Sequence, residues 1–236
     1  MKILIVYAHE EPLSFNGAML RLAVATFEEQ GHEVVVSDLY AMKFKAVADG
    51  EDFLERRDKH FLKRQAEEKA ALALGTLAHD IVLEQEKLLA ADLVIFQFPL
   101  WWFSMPAILK GWVDRVMTMG FAYGGGMWYD QGGLKGRKAM LALTTGGPGT
   151  GYSASGINGS LDAILFPIQH GILYFCGFEV LPPFVAWGPA RQDEAQRQAT
   201  LAAYREHLLG AATMAPLPFH PLAHFDEGLQ LRPEYR

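Results

Sequence analysis

Three short segments carry residues whose types and spacing could hold a ligand. The first is His9 followed by Ser14-Phe15-Asn16, which opens a helical pattern. A helix start offers unpaired N–H groups and the positive end of the dipole, so it suits an anion. Ser14 and Asn16 add polar side chains, and His9 can reach a phosphate. The segment is neither G-x-G-x-x-G nor G-x-x-x-x-G-K-[ST], which disfavours a dinucleotide Rossmann site or a P-loop. The second segment is Pro99-Leu100-Trp101-Trp102-Phe103, three adjacent aromatics that can wall a flat ring. The third is Thr144-Thr145-Gly146-Gly147-Pro148-Gly149 with Tyr152 after it. Glycines let backbone N–H groups approach a ligand closely. Taken singly, each segment also has a structural reading. Ser14 can be only a cap, the aromatics a core plug or subunit interface, and the glycines a tight turn.

The elements around them decide between these readings. Lys2 to Ala8 is a continuous apolar run, the pattern of a strand covered on both faces. Ser14 caps a helix whose Met19, Leu22, Ala23, Thr26 and Phe27 share one face, and Gly31 closes it. Val34-Val35-Val36 is the second strand. Residues 41–79 are charged and weakly amphipathic, an insert with one or two helices. A helix from Ile81 to Ala91 leads into Leu93–Phe98, the third strand, and Pro106 opens a helix to about Met119. After a Gly-rich loop, Ala139–Leu143 is the fourth strand. Ile157 to Tyr174 is helical in pattern, with Pro167 expected to kink or divide it. Glu179-Val180-Leu181 opens a fifth strand and Asp193 to Leu209 is the last helix. This alternation predicts one α/β domain over 1–210. It is a doubly wound five-stranded parallel sheet, flavodoxin-like in the order 2-1-3-4-5, with a helical insert after strand 2. Residues 211–236, with Pro216, Pro218, Pro221 and Pro233, form an extended tail.

Composition narrows the classes. The net charge of −6 and the lack of any Lys/Arg run argue against a nucleic-acid partner. Cys176 stands alone, so no internal disulfide framework exists. The apolar run Ile3–Ala8 is shorter than the roughly 7–15 residues of a secretory core. Nothing approaches the roughly 20 apolar residues of a span, so no membrane insertion and a cytoplasmic location are expected.

In a sheet of this order, ligands bind outside the carboxyl ends of the strands, at the switch point between strands 1 and 3. The three segments follow strands 1, 3 and 4. A planar ring against aromatics, phosphates at a helix start and N–H donors on a third side together describe a flavin, whose reduced form is stabilised by fixed donors.

The chain also resembles the NAD(P)H:quinone oxidoreductases of the DT-diaphorase type. The matching segments are Ala8-His9 with Ser14-Phe15-Asn16, Ser37 to Met42, Ala91 to Leu100, Trp102-Phe103, Pro106 to Trp112, Thr144 to Gly147, and Gly171 to Phe178. The resemblance implies a homodimer holding FAD, in preference to FMN, with active sites at the subunit interface. It implies that His9, Phe15, Asn16 and Ala18 hold the pyrophosphate and ribityl region. Pro99, Leu100, Trp102 and Phe103 would border the isoalloxazine, with Trp101 beside them. Thr144, Thr145, Gly146, Gly147 and Tyr152 would contact its other edge, and Arg197 would contact FAD from the last helix. Asp114 and Arg115 match a pair near the adenosine across the dimer. Tyr123, Trp128 and Phe175 match positions lining the substrate cavity from the second subunit. The implied reaction is ping-pong: NADH or NADPH delivers hydride to the flavin and leaves, and a quinone takes its place.

Some positions depart from the pattern. Asn158 stands where many relatives carry a His beside the Tyr, and Asn cannot take up a proton. Tyr152 is then a hydrogen-bond donor and Asn158 a polar positioner. Gly125 replaces a second cavity Tyr, which widens the pocket. Of a metal site found in some relatives only His170 matches, with Tyr174 and Phe219 at the other positions, and no metal is expected. The rival readings are a one-electron flavodoxin-like carrier, marked by a stable radical on titration, and a flavoprotein partner of a membrane transporter, marked by co-purification with membranes.

Overall fold

The strand Leu93–Pro99 (β3) is buried along its entire length, and Lys2–Tyr7 (β1) everywhere beyond its first residue. In a strand, successive side chains point to opposite faces. Val94, Phe96 and Phe98 accordingly enter one apolar layer, while Leu93 and Ile95 enter the other. The computed structural model, which describes residues 1–236, shows this two-layer arrangement throughout.

The parallel sheet runs β2 (Glu33–Asp38), β1, β3, β4 (Lys138–Thr144) and β5 (Glu179–Val180), which is the expected order 2-1-3-4-5. The fifth position differs in one respect. A second short strand, β6 (Phe184–Ala186), pairs with the end of β4 beyond β5. Pro182 and Pro183 lie between the two pieces and have no N–H to donate to a ladder.

Helices α1 (Phe15–Glu29) and α6 (Glu194–Gly210) cover one face, through Met19, Phe27 and Tyr204 among others. Helices α3 (His79–Ala90), α4 (Ala107–Val116) and α5 (Leu161–Ile168) cover the other, through Leu88, Leu109, Trp112 and Leu165. The pattern from Ile157 therefore begins its helix four residues later than expected. Pro167 lies inside α5, and the chain continues as a wider π turn over Gln169–Tyr174.

The insert holds α2 (Arg64–Leu74) and a 3-10 turn at Gly50–Asp52. An ionic cluster ties it to the sheet layer. The buried Arg115 of α4 donates to Asp52 Oδ1 at 2.8 Å, to the Lys45 carbonyl at 2.9 Å and to both oxygens of Asp80, at 2.5 and 3.1 Å. Arg64 donates to the other oxygen of Asp52 at 2.5 Å. In the tail, the Leu217 amide donates to Val180 O at 2.7 Å and the Leu222 amide to Asp130 Oδ1 at 2.8 Å. No helix is long and apolar enough to cross a membrane.

Candidate active site

A cleft of about 650 Å³ opens where β1, β3 and β4 end. Of the predicted residues it is lined by His9, Ser14, Phe15, Asn16, Ala18, Pro99, Leu100, Trp101, Thr144, Thr145, Gly146 and Arg197. All three sequence segments reach this one rim.

The first wall is the start of α1. Ser14 caps it, its hydroxyl accepting from the Gly17 amide at 3.1 Å. The amides of Phe15 and Asn16 have no partner within the chain and remain available at the positive helix end. Gly17 makes this geometry possible: a Cβ there would stand 2.0 Å from the Pro12 carbonyl oxygen. Arg21 holds the same carbonyl at 2.8 Å, and the Glu11 amide donates to His9 Nδ1 at 3.0 Å. The His9 ring lies 6.2 Å from that of Trp101, which links the first wall to the second. Asn16 is only 3% exposed. Its Nδ2 donates to Thr144 Oγ1 at 2.8 Å, and its buried Oδ1 has no partner. An orphaned buried acceptor beside a cleft is a place for a ligand donor.

The second wall is a two-residue turn. Trp101 and Ser104 exchange both backbone hydrogen bonds, at 3.0 and 2.9 Å, and Trp102 and Phe103 between them have φ of +52° and +58°. Turns with two left-handed centres favour Asn-Gly. Two bulky aromatics there are strained, and strain of this kind gathers at functional sites. Trp102 is 95% exposed, so it and Phe103 stand outside the cleft lining and present their rings to the surroundings.

The third wall is pinned from below. The Thr145 amide donates to Ala186 O at 3.0 Å and its hydroxyl to Gly147 O at 2.8 Å. The amides of Gly146 and Gly147 have no partner in the chain, and no atom lies within 4 Å of the Cβ position of Gly146. Tyr152 ends a 3-10 turn, Gly149–Tyr152, its ring 5.4 Å from Trp187. Asn158 joins this loop through its amide, which donates to Gly151 O at 2.9 Å. Gly147, Tyr152 and Asn158 lie outside the lining of the cleft.

Comparison with known proteins places these walls in a lineage. A family model described as "Flavodoxin-like fold" matches residues 1–208. Ribosyldihydronicotinamide dehydrogenase (quinone) of Rattus norvegicus is 45% identical over 225 residues, spanning 95% of this chain and 97% of that protein. NAD(P)H dehydrogenase (quinone) 1 of the same organism is 45% identical over 230 residues, spanning 97% of this chain and 84% of that protein. This chain belongs to the NAD(P)H:quinone oxidoreductase family, on the flavodoxin-like fold. A crystal structure of a Klebsiella pneumoniae protein named as a quinone reductase matches it at TM-score 0.96 and 48% identity, covering 99% of this chain and 95% of that one.

In this quinone oxidoreductase fold the remaining predicted residues gather elsewhere. Tyr123 and Asp114 line a second cavity of about 510 Å³, with Arg64 and Gln65 of the insert. The rings of Tyr123 and Phe175 are 5.7 Å apart, and the Tyr129 amide, next to Trp128, donates to Phe175 O at 2.8 Å. Burial raises the Tyr123 pKa, against the opposing bond from Gln65 at 3.3 Å. Arg115 corrects an expectation. It does not stand beside Asp114 for a ligand but turns inward to Asp52 and Asp80, while Asp114 pairs with Lys110 at 2.5 Å.

Sequence reasoning missed Leu13, Pro189, Ala190, Glu194, Gln198 and Leu201, which also line the first cleft. One signal was available. Gly188-Pro189 follows the fifth strand, and Gly188 has φ of +54°, its amide reaching Thr145 O at 3.1 Å. A Gly-Pro pair there marks a fourth loop on the same rim.

Proposed function

We propose that this chain is an NAD(P)H-dependent quinone oxidoreductase that works through bound FAD as a cytoplasmic homodimer. The observation that carries the reading is the single rim on which the α1 start, the Trp101–Ser104 turn and the Thr144–Gly147 loop meet. The residues fit a flavin nucleotide. The free amides of Phe15 and Asn16 suit its phosphates and the orphaned Asn16 Oδ1 suits a ribityl hydroxyl. Gly146 and Gly147 offer amides to the ring edge where negative charge develops. The lining continues onto Arg197, Gln198 and Leu201 of α6, which gives a second nucleotide half a place and favours FAD over FMN.

FAD, when bound, supplies two-electron hydride chemistry from a nicotinamide to a quinone in alternating steps. The protein's part is to bind, orient and exclude water. Pro99, Leu100 and Trp101 hold one side of the ring, and Tyr152, its ring 5.4 Å from that of Trp187, presents its hydroxyl. Asn158 steadies the Tyr152 loop. Stacking the donor and then the acceptor over the same ring supplies proximity.

The exposed Trp102, Phe103, Trp128 and Ile157 form apolar surface that a second copy would cover. In that dimer Tyr123, Trp128 and Phe175 of one protomer complete the acceptor cavity of the other. The test is direct. The visible spectrum of the purified protein shows a flavin, and chromatography of the released cofactor identifies FAD. NADH, NADPH or ribosyldihydronicotinamide bleaches the band without oxygen, and a quinone restores it. A colourless chain that cannot be loaded with FAD would overturn the reading.

A further inference from the structure

Gln97 interrupts an apolar row. On the α1/α6 face of β3 the inward positions are Leu93, Ile95 and Gln97, and Gln97 is fully buried. A buried amide is retained at a cost unless its hydrogen bonds are made. Gln97 makes them in both directions. Its Nε2 donates to the backbone carbonyl of Asn16 at 2.6 Å, and its Oε1 accepts from Tyr204 Oη at 3.4 Å. Asn16 in turn donates to Thr144 Oγ1 at 2.8 Å. Tyr204, Gln97, Asn16 and Thr144 thus form one buried chain across α6, β3, α1 and β4. Only Asn16 and Thr144 line the cleft, so Gln97 and Tyr204 stand behind the lining.

We infer that Gln97 is a positioning residue for flavin binding, fixing the first turn of α1 so that the Phe15 and Asn16 amides and the orphaned Asn16 Oδ1 face the nucleotide. The inference rests on the flavin reading above. Its physical content is that a helix start held by one cap swings about its axis, whereas a second bond to its first-turn carbonyl, from the central strand, sets its rotation. Burial keeps the Tyr204 hydroxyl protonated well beyond neutral pH, so it remains a donor to Gln97.

The test compares the holoenzyme with Gln97→Met and Gln97→Glu, measuring FAD release by the fluorescence of free flavin on dilution, alongside thermal midpoints. Gln97→Met keeps the volume and removes both the donor to Asn16 and the acceptor from Tyr204; its expected result is FAD affinity weakened about tenfold, one hydrogen bond's worth, with a lower apo-protein midpoint from the unpaired Tyr204 hydroxyl. Gln97→Glu cannot donate while ionised but can once protonated, so its FAD affinity should recover as pH falls through its raised pKa. A fold-only role would lower the apo-protein's midpoint in both variants while leaving their FAD affinity at the parent's value. FAD held by Gln97→Met as tightly as by the parent, or an affinity of Gln97→Glu indifferent to pH, overturns the inference alone. Should Gln97→Met not fold, the pH arm decides. A parent chain that takes up no FAD overturns the functional reading and this inference with it.

Discussion

The side-chain amide of Asn16 donates to Thr144 Oγ1 at 2.8 Å, joining the loop after β1 to the end of β4 beneath the cleft. That bond uses the nitrogen of Asn16 and leaves its oxygen buried and unpartnered. Asn16→Leu keeps the bulk and removes both functions. Flavin affinity should fall by roughly one to two orders of magnitude, from the loss of about 1–3 kcal/mol, as read from free-flavin fluorescence on dilution. Affinity equal to the parent's would separate Asn16 from the cofactor.

The turn at Trp102-Phe103 stores strain that Asn-Gly would release. Two L-residues in the left-handed region cost roughly 1–2 kcal/mol each. Replacing both, Trp102→Asn with Phe103→Gly, should raise the thermal midpoint by roughly 2–4 °C per kcal/mol released in a chain of this size. The same change strips exposed apolar surface that a second copy would cover beside the cleft, so quinone turnover should drop at least about tenfold, a trade of activity for stability. A midpoint that falls, with turnover intact, would contradict both halves.

The Tyr152 ring rests on Trp187, 5.4 Å away, a contact that its hydroxyl does not make. Tyr152→Phe therefore leaves packing intact. Stopped-flow absorbance should show flavin still bound and the reductive half-reaction slowed by about tenfold, the worth of one hydrogen bond. Unchanged rates in both half-reactions would remove Tyr152 from the chemistry.

Arg115 is 1% exposed and serves Asp52, which is equally buried, and Asp80. Arg115→Met leaves the Asp52 carboxylate with Arg64, Lys45 and the Asp49 amide. Removing one partner of a buried ionic cluster costs about 3–5 kcal/mol, to be checked by urea denaturation. Burial by itself would raise the Asp80 pKa, but its bonds to Arg115 outweigh this and hold it below the ordinary carboxylate range. Its stabilisation is therefore present above the unfolded pKa and lost as pH falls through the lower folded one. The variant should lose part of this acid dependence.

His170 packs among Phe166, Tyr174 and Phe219, with ring centroids 4.6, 5.6 and 5.1 Å away. Burial lowers its pKa, and burial lowers that of His207 too, against an opposing bond to the Pro182 carbonyl. The unfolded chain then binds more protons than the folded one just below the ordinary histidine range, so stability falls with pH there. Thermal midpoints should drop between about pH 7.5 and about pH 5.5, and less steeply in His170→Phe. Parallel slopes would place the effect elsewhere.

Periodicity in the sequence was enough to place β1 to β4 and their order, though not the split of the fifth position into β5 and β6. The unbroken, short, β-branched apolar runs at Ile3 and Leu93 fit strands covered on both sides, and their alternation with helical patterns implies a parallel sheet wrapped by helices. The rim was equally legible, because the switch-point rule ties ligands to the loops after particular strands, and His9, Asn16, Trp101 and Gly146 announce themselves by type. Pro182-Pro183 also carried a readable warning that the fifth strand would break, since proline has no amide to donate.

The tertiary structure alone decided which side chains answer one another. Gln97 finds the Asn16 carbonyl across 81 positions, and Arg115 finds Asp52 across 63. No local pattern distinguishes an arginine that turns inward to a distant carboxylate from one left at a surface for a ligand. The left-handed centres at Trp102 and Phe103 were hidden for the same reason: aromatic residues disfavour that conformation, and only the surrounding fold holds them in it.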